Sequence, residues 1–273
     1  MRLEINNKKK CEQFNYIFTN LKYFTDKVVL HISDEKIYLQ GMDNNHICVY
    51  ELTLTSSWFT KYEVTESETI CIPLGIFTKI LHIHNEKQYI IIYNDDNDNL
   101  DIEYKTMSSD SKNENKDENK DDSELCKGVF DKYFRIPLMD MDTDMMHIPD
   151  TDYEVDIEMD STRFKGLIDE LSNFNETLNI GCDENNVTLE STSIEGSMKT
   201  VINMDDIELL AVVEDKEVNT SFGIKYIANM CQFHKISSNC SIHISEGMPL
   251  MMKYVMTDDC HIQFHVAPKI SDD

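Results

Sequence analysis

Apolar residues recur at helical spacing in two stretches of this chain, and the second stretch lies 150 residues after the first. Residues 14–24, FNYIFTNLKYF, set apolar side chains at Phe14, Ile17, Phe18, Leu21 and Phe24. Residues 164–174, FKGLIDELSNF, set them at Phe164, Leu167, Ile168, Leu171 and Phe174. The i, i+3, i+4, i+7 spacing predicts two helices, each with one buried stripe. The offset persists beyond them. Val28-Val29-Leu30 answers Leu178-Asn179-Ile180, and IYLQ (37–40) answers VTLE (187–190). A short second helix with Leu74, Phe77, Ile80 and Leu81 inward answers Ile224, Ile227, Met230 and Cys231. One such match is cheap, but four in a single register indicate a duplicated helix–strand–strand–helix–strand plan.

Between the helices the pattern shortens to alternation in β-branched and aromatic residues, broken by turn clusters. YIIIYNDDNDNLDIEY (89–104) predicts a hairpin around an Asn/Asp turn, and SIHISEGMPLMMKYVM (241–256) its partner around Gly247. YLQGMDNNHICVYELTL (38–54) predicts another, with Met42 and His46 facing each other across an Asp-Asn-Asn turn. Helices on one side of mainly antiparallel strands define an α+β architecture. From about 106 to 128 the pattern stops, and SSDSKNENKDENKDDSE has no apolar residue, which predicts a disordered acidic insertion. RIPLMDMDTDMMHIPDTDYEV (135–155) has two prolines and no helical period, which predicts an extended connector between the halves.

Composition then narrows the function. The 273 residues carry a formal net charge of -26, so loose binding of nucleic acid over the whole surface is disfavoured. The location of the cations therefore matters. The four helical segments and their lead-ins together carry a net +6, which leaves -32 for everything else. Their solvent faces are the least acidic surface on the chain and suit weak, sequence-independent contact with phosphates. Eight scattered cysteines with no CxxC pair argue against a structural zinc site and for a reducing compartment. No metal or cofactor is expected. No apolar run approaches the roughly 18 residues of a membrane span, so no membrane partner is expected either. HExxH, GxSxG, kinase-type and GxxxxGK[ST] patterns are all missing from the sequence. A hydrolase built on His82, His84 and Asp95 is the enzymatic alternative. Both histidines read as lying beyond a helix end with solvent-facing roles, so the expectation is that the chain is not an enzyme.

Four motifs in order resemble one family over nearly the whole chain. YLQGMDNNHICVYELTL, FTKIL (77–81), LMDMDTDMMHIPDTDY (138–153) and the terminal FHVAPKISDD (264–273) are similar to the eukaryotic-type sliding DNA clamp, the proliferating cell nuclear antigen family. The resemblance implies two duplicated clamp domains, 1–134 and 156–273, joined by the 135–155 connector, with sheets outside and helices inside a ring. It implies a homotrimer that encircles double-stranded DNA and serves as DNA polymerase processivity factor. An ATP-dependent clamp loader would open the ring, and replication and repair proteins would dock through a short motif. A monomeric processivity factor, or one subunit of a heterotrimeric checkpoint-type clamp, is the alternative.

Carried over by position, the partner-peptide pocket comprises Met42, His46, Ile47, Met146, Ile148, Pro149, Pro249, Ala267, Pro268, Lys269 and Ile270. The DNA-facing residues are Lys8, Lys9, Lys10, Lys22, Lys79, Arg163, Lys165 and Lys225. Subunits would pair through strands near 129–136 and 196–203, with Phe130, Tyr133, Phe134, Met198, Thr200 and Ile202 at the interface. The chain departs from the family at EVTE (63–66), where relatives carry a basic stretch, at Asn15 and Tyr16, and at Gly166 and Asp169. Glu184 stands where eukaryotic members have a modifiable lysine, so no ubiquitin-type switch is expected there. Divergence of this kind would fit a unicellular parasite or a large DNA virus, with the nucleus or a viral replication site in the host cell as location.

Overall fold

A computed structural model describes residues 1–95, 98–107, 128–141, 145–149, 151–257 and 259–269. The first repeat runs β1 (Arg2–Ile5), α1 (Lys8–Leu21), β2 (Lys27–Ile32), β3 (Lys36–Met42), β4 (Cys48–Thr55), β5 (Lys61–Glu63), β6 (Glu68–Pro73), α2 (Leu74–Ile83), β7 (Gln88–Tyr93), β8 (Asn99–Thr106) and β9 (Lys132–Pro137). The second runs β10 (Val155–Asp160), α3 (Ser161–Leu171), β11 (Thr177–Cys182), β12 (Asn186–Thr192), β13 (Ser197–Asn203), β14 (Leu209–Val212), β15 (Val218–Gly223), α4 (Ile224–Cys231), β16 (Asn239–Ile244), β17 (Leu250–Thr257) and β18 (Cys260–Val266). The duplication is therefore fuller than the helix-centred pattern predicts. Among the described residues each copy has nine strands and two helices in the same order.

The register of the copies is the sharpest sign of duplication. β2 pairs antiparallel with β6 from Lys27↔Pro73 to Ile32↔Glu68, and β11 with β15 from Thr177↔Gly223 to Cys182↔Val218. Every one of those pairs is displaced by 150 residues. The order β5-β1-β7-β8-β9 recurs as β14-β10-β16-β17-β18.

The chain forms two compact units that are not contiguous in sequence. The first comprises Met1–Lys22, Asp26–Ile37 and Thr55–Thr143; the second comprises Tyr23–Thr25, Tyr38–Leu54 and Asp144–Asp273. In the first unit α1 begins at Asn7, whose side chain accepts from the Lys10 amide at 3.1 Å. Its stripe of Cys11, Phe14, Ile17, Phe18 and Leu21 is buried, and α1 packs on α2. Phe18 meets Phe77 edge-on at 5.3 Å and Phe14 at 4.7 Å, with Trp58 6.5 Å from Phe14. Each such buried ring contributes roughly 2–3 kcal/mol by leaving water. Leu74, Phe77, Ile80 and Leu81 of α2 are all buried.

In the second unit α3 begins at Asp160, whose carboxylate accepts from the Arg163 amide at 2.7 Å. Ile224, Ile227, Met230 and Cys231 of α4 are buried as the spacing predicts. Strands here run in the order β14-β10-β16-β17-β18-β4-β3, beside a separate sheet β13-β12-β11-β15. Gly247, at φ 70, makes the turn between β16 and β17, a conformation that favours glycine. Phe24 and Phe174 part company despite their equivalent positions. Phe24 is 2% exposed because it packs on Phe264 at 5.2 Å and Tyr50 at 5.7 Å, whereas Phe174 is 38% exposed.

Three local expectations are corrected. Residues 135–137 of the predicted connector complete β9. His82 lies within α2, with Nδ1 2.6 Å from the Thr78 carbonyl. His84 caps α2 and is half-buried against the Tyr104 ring at 5.0 Å, so it does not simply face solvent, and burial lowers its imidazole pKa. The acidic insertion falls almost wholly on 108–127, outside the described residues. Seven cysteines, Cys11, Cys48, Cys71, Cys182, Cys231, Cys240 and Cys260, are buried free thiols. Burial pushes those of Cys11, Cys182 and Cys240 up to about 12.

Candidate functional site

The hairpin of β3 and β4 turns on Asp43. Its carboxylate is buried and accepts from three amides: Asn45 at 2.9 Å, Ile47 at 2.7 Å and Cys48 at 2.6 Å. Asp43 and Cys48 also pair through the backbone at 2.8 Å. This Asx-type knot holds His46 at φ 59 and leaves it and Ile47 exposed. Gly41 precedes the knot because nothing larger fits. A Cβ there would stand 2.2 Å from the Tyr50 hydroxyl.

Two other segments are fastened to this hairpin. The Ala267 amide donates to the Ile47 carbonyl at 3.0 Å, which attaches the chain after β18 to the hairpin tip. Lys269 continues that tail, its amide donating to the Ser221 carbonyl at 2.7 Å and its Nζ to Thr177 at 2.6 Å. The connector is held by one side chain. Gln40 accepts from the Met146 amide at 2.8 Å and donates to the Met146 carbonyl at 3.0 Å. Pro249 immediately precedes β17, whose Leu250 pairs with Val266. Met42, Met146, Ile148 and Pro268 are half-buried, and Pro149, Pro249, Ala267 and Lys269 are exposed. The tail is thus bonded to the hairpin tip and the connector to β3. Ile270 lies outside the described residues.

The structure adds a cleft of about 480 Å³ between the connector and the strands beneath it. Met146, Ile148 and Pro149 form its connector side, with Tyr38, Glu51, Gln263 and His265 opposite. The other described residues of the expected pocket do not line this cleft. Glu51 is its electrostatic centre. It accepts from the Tyr38 hydroxyl and from Gln263 at 2.7 Å, and His265 Nε2 stands 3.7 Å away. Burial works against its ionisation, yet His265, Tyr38 and Gln263 together hold the Glu51 carboxyl at about 2. Motif reasoning missed these residues. Strand alternation carries the signal: Tyr38 and Gln40 share one face of β3, and Glu51 pairs with Gln263 across β4 and β18.

The expected DNA-facing cations divide. In the first unit Lys8, Lys9, Lys22 and Lys79 are exposed. Lys8 is ion-paired with Glu86, whose carboxylate raises its ammonium pKa. Lys10 turns inward, donating to the Trp58 carbonyl at 2.5 Å with its ammonium 5.6 Å from that ring. In the second unit Lys225 is exposed, and Lys165 is tied to Asp169 one turn on. Arg163 lines a groove of about 350 Å³ with Leu167, Thr200 and Val201, which places it beside β13. Lys10 and Lys165 are thus less available to a phosphate than the sequence suggests.

The expected interface strands are both sheet edges. β9 pairs only with β8, and β13 only with β12, among the described residues. Phe130 is 75% exposed and Tyr133 64%. Phe134, Met198 and Thr200 are half-buried. Ile202 is corrected: its side chain packs in the second unit's interior beside Phe164 and Val187 and offers an interface only its backbone.

The family model for the proliferating cell nuclear antigen N-terminal domain matches residues 6–154, and that for the C-terminal domain matches residues 147–269. A DNA polymerase sliding clamp of Thermococcus fumicolans is 23% identical over 262 residues, covering 96% of each chain. The crystal structure of the proliferating cellular nuclear antigen of Entamoeba histolytica superposes with a TM-score of 0.82 at 21% identity, covering 98% of both chains. A PCNA2–PCNA3 complex of Sulfolobus tokodaii also gives 0.82, at 17% identity, covering 98% of this chain and 99% of that one.

Proposed function

The chain belongs to the proliferating cell nuclear antigen family, and from that premise we propose that it is a DNA polymerase sliding clamp that closes around duplex DNA as a homotrimer. The family is non-catalytic, and the chain is not an enzyme: a clamp works by topology. Once closed it cannot fall off, so its phosphate contacts need only be weak enough to let it slide. Exposed Lys9, Lys22, Lys79 and Lys225 supply such contacts. A clamp loader using ATP opens the ring. Replication and repair proteins dock where the hairpin tip, connector and tail meet, in the nucleus or at a viral replication site.

The observation that carries this reading is the pair of open edges, β9 and β13. An unpaired edge is a liability unless something covers it, and antiparallel pairing of β9 with the β13 of a second copy covers both. Because each copy offers one of each, the contact is heterologous and generates a ring when its rotation closes.

Sedimentation equilibrium tests the assembly. A self-closing ring gives about three times the 31.8 kDa monomer mass. A stable monomer at micromolar concentration would sink the homotrimer and leave the second reading, a monomeric processivity factor or one subunit of a heterotrimeric checkpoint-type clamp. Docking is tested with a peptide carrying an aliphatic and two aromatic anchors in a 3-10 turn. It should bind, and His46→Ala or Pro268→Ala should weaken it. Undiminished binding would move the site elsewhere.

A further inference from the structure

We propose that the outer edge of β14 is a docking strand for an extended segment of a partner protein in which apolar and basic residues alternate. β14 ends its sheet, pairing only with β10 among the described residues. The Val213 amide donates to the Glu154 carbonyl at 2.9 Å, so the two-residue alternation turns the N–H and C=O groups of Leu210 and Val212 to the open side. Leu209 is 50% exposed and Val213 49%, with Ala211 exposed between them on the same face. Three apolar side chains in a row beside an open ladder are what an added strand reads: main-chain bonds give affinity, and alternate side chains give specificity.

Charge chooses the occupant. Asp205, Asp206 and Glu208 stand exposed before β14, and Glu214, Asp215 and Glu217 after it. The one cation in this stretch, Lys216, is bound to Glu154 at 2.9 Å. Both ends of the strand are therefore negative, which favours a basic segment and disfavours β14 of a second, equally acidic copy. The equivalent edge of the first repeat is built differently. β5 presents Lys61 and Glu63, paired with each other at 2.9 Å, with Tyr62 bonded to the Ser33 carbonyl at 2.6 Å. That edge is closed by its own charges, whereas β14 is apolar and bare. The inference does not rest on ring closure, which uses β9 and β13.

The test uses the full chain and a blocked heptapeptide alternating valine and lysine. Hydrogen exchange with mass spectrometry should show protection of amides within 207–214, and fluorescence anisotropy should show saturable binding. Replacing lysine by glutamate in the peptide should abolish binding. Methylating alternate peptide nitrogens should weaken it at least tenfold by removing the ladder. The double variant Glu208→Lys, Glu214→Lys, confined to exposed side chains, should weaken it roughly tenfold. Protection mapping to the connector cleft, equal binding of the methylated peptide, or no saturation at millimolar peptide would each overturn the proposal.

Discussion

Single residues hold the hairpin tip and the cleft beside it, and two of them can be weighed. The Asp43 carboxylate satisfies three amides in a buried position, so Asp43→Ala strands all three. Charged hydrogen bonds and unmet buried donors together put the cost at about 2–4 kcal/mol, readable as a lower urea midpoint with an unchanged slope. Asp43→Asn keeps one acceptor and should lose less. Glu51 makes the second case, through pH. Its folded pKa of about 2 lies below the ordinary 4.5, so its contribution to stability is complete above pH 4.5 and disappears as pH falls toward 2. That contribution is on the order of 2–3 kcal/mol. Glu51→Gln should lower stability at neutral pH and flatten this acid limb, as followed by denaturation across pH. An unaltered limb would assign the acid sensitivity to other carboxylates. Glu51 also shows what a motif hides. The matching stretch pointed to Met42 and His46, yet the charged group under the connector lies further along the same hairpin, where the pairing of Glu51 with Gln263 on β18 reveals it.

At the scale of elements, the helices were legible because their apolar spacing has no other use. Phe14, Ile17, Phe18 and Leu21 had to be buried, and are. The strands were legible in type but not in number. β1, β5 and β14 are short pieces whose membership of a sheet is set by distant partners, which local alternation does not encode. Lys10 was misplaced for a related reason: one helical step separates the solvent side of α1 from the Trp58 carbonyl, and a long side chain takes whichever partner it reaches. Gly41 is an element-scale constraint in one residue. A methyl group there collides with the ring of Tyr50, itself 2% exposed, so β3 or the ring must shift. Gly41→Ala should cost about 1–3 kcal/mol in thermal or urea unfolding. It should also weaken peptide docking at the adjoining tip.

On the scale of the whole molecule, assembly depends on which sheet edges are left open and what guards them. Phe130 is exposed beside β9, and its carbonyl accepts from Gln88 at 2.7 Å. Phe130→Asp should therefore leave the fold intact and weaken self-association at least tenfold, moving the sedimenting mass toward 31.8 kDa. Unchanged mass would remove that flank from the interface. The seven buried thiols have a consequence of their own. Cys11 and Cys71 sit in the first unit; Cys48, Cys182, Cys231, Cys240 and Cys260 sit in the second. An enclosed thiol scarcely meets an alkylating reagent until its surroundings open. A brief pulse of iodoacetamide followed by peptide mass mapping would thus time the breathing of each half separately, with the chain's own sulfur atoms as the stopwatch.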